Sequence, residues 1–157
     1  MQKGDKLLKE YEVSHQNPTN KLIHYVCVPL IFFSTVGLFS LIRLPFLATL
    51  LPTYAANLAT VLISAALIFY LINLPKLLFG ILLYLALCLY IILELNTFEP
   101  VYSLIIYASI FILAWIGQFI GHAIEGAKPS FLKDLQFLLI GPAWITRKAY
   151  EKLKFYQ

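Results

Sequence analysis

The chain holds three histidines, and imidazole is the side chain that most often binds a transition metal near neutral pH. His15 and His24 stand at the entry to a long apolar body. His122 stands just after it, inside Gly121-His122-Ala123-Ile124-Glu125. Histidines kept out of the apolar region and gathered at two distant points of the chain suggest one metal site assembled from both. Gln118, His122 and Glu125 follow i, i+4, i+7 spacing, a single stripe of a helix. His122 and Glu125 therefore make one half of a 2-His-1-carboxylate or His-rich set. Open coordination positions would suit non-haem Fe(II) and a closed tetrahedron would suit Zn; spacing alone leaves the metal open. At the other end, an unbroken helix would put His15 and His24 on opposite faces. Asn17-Pro18 removes that difficulty, being a turn and helix-start signal. His15 can then fold back while Asn20 and His24, four apart, share a face, with Asn20 placed to orient a ligand or a bound water.

Each of these residues also has an ordinary role. A histidine at a membrane interface can be a snorkelling polar group, Glu125 can pair with Lys128, Asn20 can cap a helix, and Gln118 can bridge two helices. The joint pattern is what favours a site.

The elements that must position these groups are membrane helices. With 61% hydrophobic and 13% charged residues and a mean hydropathy of +0.81, the chain lies far from soluble domains. One domain suffices for 157 residues. Residues 1–20 are polar and mixed in charge, unlike a signal peptide, so we expect the chain to enter the membrane with its first long helix and keep it. Apolar stretches of spanning length fall at about 22–42, 54–73, 77–93 and 101–120, the third being the shortest. Arg43 with Pro45 and Pro52, then Pro75 with Lys76, then residues 94–100 interrupt them. The breaks are short, so successive spans should pack antiparallel. Residues 131–145 are apolar but too short to span and contain Gly141-Pro142. We expect an interfacial or re-entrant helix there, extended by a basic tail to 154, with Trp144 as a headgroup-level anchor and the histidines beneath it. The fold class expected is thus all-α, with four transmembrane helices and this C-terminal segment.

Of the twelve basic residues, all but Arg43 fall on one side of such a topology, and the positive-inside tendency makes that side cytoplasmic. An even number of spans returns the chain to its starting side. Both termini and all three histidines are then expected at one cytoplasmic surface, of a bacterial inner membrane or of the ER membrane in a eukaryote. The net charge of +4 reads as topology and headgroup attraction, and no nucleic-acid partner is expected. Cys27 and Cys88 lie in apolar runs and imply no disulfide framework. No phosphate loop, nucleophile elbow or Cys-x-x-Cys pair competes. Nor do ionisable groups mark an ion path through the spans.

Ser14-His15-Gln16-Asn17-Pro18-Thr19-Asn20 with His24 and Val28-Pro29, then the stretch from Gln118 to Pro129 and the later Gly141-Pro142, resemble the small integral-membrane family typified by the fungal Mpo-type 2-hydroxy fatty acid dioxygenase. The similarity runs over nearly the whole chain. It implies Fe(II) as cofactor and the α-oxidation of a long-chain 2-hydroxy fatty acid by O₂ to the acid one carbon shorter. In the fungal case this serves breakdown of a sphingolipid long-chain base. Carried over by position, His15, His24 and His122 are the expected iron ligands, and Glu125 and Asn20 fall on motif positions. Cys27 and Ser130 depart from the Gly and Ala expected there, and the tail is more basic. An α-hydroxycarboxylate can chelate iron and leave a position for O₂, and the reaction balances without a reductase. The acyl tail would lie between helices among membrane lipid, with Lys21 and Lys128 attracting the carboxylate. Two readings of other classes stand beside it: a Zn-dependent lipid hydrolase on the same ligands, and a non-catalytic membrane scaffold.

Overall fold

The computed structural model describes residues 3–13, 15–126 and 131–154, and no side chain at 3 or 131–138. Among the described residues there are six α-helices: α1 (Lys3–Val13), α2 (Pro18–Ser40), α3 (Leu58–Asn73), α4 (Leu78–Leu95), α5 (Pro100–Glu125) and α6 (Phe131–Lys152). Short 3₁₀ turns precede α3 and α4, and no strand occurs among the described residues. Three helical segments, Pro18–Ser40, Pro75–Leu95 and Pro100–Glu125, are long and apolar enough to cross a membrane, and large hydrophobic side chains lie exposed along all of them. These features mark a membrane protein.

The helices from α2 to α5 run alternately between two ends of the molecule. At the near end, Asn20 and His24 of α2 lie against Gly121 of α5, and the α3 end at Asn73 and Leu74 lies against Gly4 of α1. At the far end, Asn96 after α4 donates to Ser40 Oγ and accepts from Tyr107 of α5, while Arg43 pairs with Asn57 before α3. The main interface is α2 on α5, not a pair of sequence neighbours; α4 instead packs on α6 and α2. Small residues explain this choice. Gly117 and Gly121, four apart on α5, admit Cys27 and Asn20 of α2, and Gly37 of α2 admits the Tyr107 ring. Such small-xxx-small stripes let helix backbones approach closely where lipid offers no hydrophobic driving force.

Three features of the structure extend or correct the sequence-based expectations. The second apolar stretch is helical only from Leu58, because Asn57 takes the cap position and accepts from Thr60 N. The short helix is therefore α3, with 16 residues, whereas the stretch expected to be shortest reaches 21. Helix α6 passes through Gly141-Pro142 without interruption. Gly141 is needed there because a side chain would meet Val28 of α2. Third, Trp144 is no headgroup anchor: it is fully buried, 0% exposed, because α6 turns it inward onto Tyr11 of α1 and Tyr25 of α2. The polar N-terminal segment is likewise more than a tether. Gly4, Leu8 and Tyr11 share one face of α1; Leu8 and Tyr11 are buried, and α1 packs against α6 and α3.

Candidate metal centre

The near end of the bundle gathers the three histidines. His15 follows the end of α1, His24 lies nearly two turns into α2, and His122 is in the last turn of α5. They are 2%, 1% and 7% exposed. Ring centroids are 4.3 Å apart for His15 and His24, 5.1 Å for His24 and His122, and 5.6 Å for His15 and His122. One potential ligand nitrogen from each ring lies within 4.8 Å of the other two.

Local sequence explains this meeting. The Asn17 side chain accepts from Thr19 N and Asn20 N, and Pro18 occupies the first helical position, where its missing N–H costs nothing. α2 therefore starts afresh after α1, and the chain folds back between His15 and His24 as the Asn17-Pro18 signal implies. At the other end, Gly126 stops α5 with a left-handed φ of 73°, a conformation that costs a residue with a Cβ about 1 kcal/mol or more.

Two tautomers follow from hydrogen bonding. His15 Nδ1 is 2.6 Å from Tyr11 O and His24 Nδ1 is 2.9 Å from Asn20 O. A carbonyl only accepts, so both Nδ1 atoms carry the proton and Nε2 holds the lone pair in each neutral ring. Metal-bound histidines are held in this way, one nitrogen donating to a carbonyl and the other ligating. Burial pushes His15 below the ordinary imidazole value; the Tyr11 carbonyl works the other way, and His122 adds to the lowering. A neutral ring is the ligating form.

Glu125, Asn20 and Gln118 surround the cluster in different ways. The Glu125 carboxylate accepts from Gln16 N at 2.7 Å, from Asn17 N at 3.0 Å and from Asn20 Nδ2 at 2.8 Å. It sits at the N-terminus of α2, where backbone N–H groups and the helix dipole favour an anion. The described residues that form the close ligand group are the histidines alone; Glu125 ties the end of α5 to the α1–α2 junction. Asn20 is 0% exposed, and its Oδ1 rests against Gly121, where a side chain would overlap it and crowd His24. The helix is capped by Asn17, which leaves Asn20 to this contact. Gln118 is buried beside the His24 ring and acts on it electrostatically. Lys21 is half-buried in the first turn of α2, and its charge acts on His15. Lys128 lies outside the described residues.

Sequence reasoning missed the aromatic wall. Tyr11 stacks on His15 with centroids 4.1 Å apart, and the Trp144 ring is 6.2 Å from His15. It also missed Gly117 and Gly121, whose four-residue spacing within an apolar helix is a readable packing signal. Nothing in the local sequence separates Trp144 from an interfacial tryptophan. No curated protein and no solved structure matches the chain. The model of one protein family, described as 2-hydroxy-palmitic acid dioxygenase Mpo1-like, matches residues 1–153.

Proposed function

Since the chain belongs to this Mpo1-like family, we propose that it is an Fe(II)-dependent dioxygenase that converts a long-chain 2-hydroxy fatty acid and O₂ into the fatty acid one carbon shorter, CO₂ and water. Atoms and electrons balance in that equation, so no external reductant is needed. The observation that carries the reading is the convergence of three buried imidazoles, from α1, α2 and α5, in one ligand group. One ligand nitrogen from each lies within 4.8 Å of the others, so His15, His24 and His122 would together hold the ion. When bound there, Fe(II) supplies the redox chemistry and the charge neutralisation for O₂ and an α-hydroxycarboxylate.

The chain's own residues do the rest. The Tyr11 and Asn20 carbonyls hold His15 and His24 in the ligating tautomer, Gln118 orients His24, and Glu125 fixes the junction that carries His15. Tyr11 and Trp144 exclude water, which strengthens every electrostatic interaction in the site. Lys21, with Lys128 beyond the described residues, attracts the substrate carboxylate. For the acyl tail, α2, α3 and α6 line a partly open apolar pocket of about 310 Å³ that includes Phe32, Val36, Phe39, Ala59, Ala66 and Leu139. At about 1.5 Å per residue, Phe32 lies roughly 12 Å and Phe39 roughly 22 Å along α2 from His24. That depth suits the distal carbons of a long chain whose head group is at the histidines.

The same reading includes a four-span topology in which α3 also crosses the membrane, lengthened by the 3₁₀ turns at its ends, with α6 dipping into the cytoplasmic interface. The alternation of α2 to α5 between two ends supports it, since it brings the α2 start and the α5 end to the side that carries most of the basic residues. The test is metal analysis of gently purified protein together with O₂ uptake on 2-hydroxypalmitate. Stoichiometric iron with substrate-dependent O₂ uptake is expected. Stoichiometric zinc without O₂ uptake would replace this reading with a hydrolase.

A further inference from the structure

We infer that the Trp144 indole N–H is the hydrogen-bond donor to the substrate's carboxylate at the histidine cluster, an assignment that rests on the dioxygenase reading above. Trp144 is 0% exposed. Its Nε1 is buried and has no hydrogen-bond partner among the described residues. Indole nitrogen can only donate, buried indoles nearly always find an acceptor, and a stranded buried donor is destabilising. No described residue supplies that acceptor, and a bound substrate would.

The surroundings narrow its identity. The ring is stacked on Tyr25 at 5.1 Å and 13°, and is 5.3 Å from Tyr11 and 6.2 Å from His15. Tyr25 thus covers a face of the indole, and His15 of the histidine group lies beside it. A metal cation cannot accept from an N–H, so the donor calls for an oxygen that arrives with the ligand. Among the groups of a 2-hydroxy acid, the carboxylate is the strongest acceptor. The position of Trp144 is also fixed independently of any ligand. Gly141 seats α6 on Val28, and Lys148 reaches Glu12 of α1 at 2.6 Å. An anchored aromatic donor of this kind selects an acid over a neutral lipid of the same length and costs little entropy on binding.

The experiment uses the full chain, iron-loaded and kept free of O₂, with 2-hydroxypalmitate and 1,2-hexadecanediol as probes; the two share chain length and vicinal oxygens and differ in the carboxylate. The chain has two tryptophans, so Trp115→Phe leaves Trp144 as the only indole. In that variant the acid should shift Trp144 emission and the diol should not. Trp144→Phe keeps an aromatic ring and removes the N–H; it should weaken acid binding about tenfold, as expected for one hydrogen bond to a charged acceptor, with diol affinity and iron content unchanged. An unchanged acid-over-diol ratio, or equal emission responses to both probes, would overturn the assignment and leave water as the acceptor. Should Trp144→Phe fail to hold iron, the emission measurement in Trp115→Phe still decides. Wild-type O₂ uptake on 2-hydroxypalmitate, run in parallel, separates the two failures: its absence removes the dioxygenase reading and the Trp144 role with it, whereas uptake with an unchanged ratio removes only the latter.

Discussion

Glu125 stands three residues beyond His122 yet spends its carboxylate on Gln16 N, Asn17 N and Asn20 Nδ2. It orients the cluster through the α1–α2 junction. Glu125→Gln replaces an acceptor-only group with one that also presents donors to those amides, so iron affinity should fall about 10- to 100-fold, the usual scale for groups that orient metal ligands. Iron titration of the purified variant measures it; complete loss of O₂ chemistry with iron affinity unchanged would instead make Glu125 a participant in the reaction. Gly121 tests the same corner sterically. Gly121→Val drives methyl groups into Asn20 Oδ1 and His24 and should cost about 1–3 kcal/mol of overpacking, read as a lower melting temperature together with lost iron. The sequence disclosed that Glu125, His122 and Gln118 share a stripe, since helical spacing is local. What Glu125 binds was not legible, because its partners lie more than a hundred residues away.

Helices α1 and α6 close the site from the side opposite α5, and a small charge cluster joins them. Lys148 binds Glu12 at 2.6 Å and Glu151 at 3.0 Å, and Arg147 binds Glu151 at 2.9 Å. Burial alone would raise Glu151, but Lys148 and Arg147 outweigh it and hold the carboxyl below its ordinary value. A lowered carboxylate contributes stability above the unfolded-state value of about 4.3 and loses it as pH falls through the folded value. The protection of α6 amides against hydrogen exchange, corrected for the intrinsic rate at each pH, should therefore fall as pH drops below about 4.3. Because these side chains are partly exposed, the neutral-pH effect of Lys148→Ala should be only about 0.5 kcal/mol. Asn17→Ala removes the α2 cap and should cost about 1 kcal/mol, measurable by denaturation in detergent. Asn17-Pro18 announced this helix start in the sequence. The burial of Trp144 was not announced, since an apolar stretch with Gly-Pro reads equally well as an interfacial segment until its packing partners are known.

At the scale of the whole molecule, alternation of four helices brings sequence positions 15, 24 and 122 to one end, a meeting legible in the sequence from the expectation of an even number of passes. The pairing of α2 with α5 was less legible, because short loops argue for sequence neighbours while Gly37, Gly117 and Gly121 decide otherwise. The proposed topology predicts that single cysteines introduced at Glu10 and at Phe98, in a Cys27→Ala, Cys88→Ala background, are labelled by an impermeant thiol reagent from opposite sides of the membrane; labelling from one side would leave α3 or α4 short of crossing. The proposed function rests on the histidine cluster holding iron for oxidation of a 2-hydroxy acid. Its most direct test is iron content with O₂ uptake on 2-hydroxypalmitate for wild type and His122→Ala. Wild type should retain stoichiometric iron and release CO₂ with the shortened acid, and His122→Ala should lose both metal and turnover. Full turnover by iron-free protein, or by His122→Ala, would contradict it.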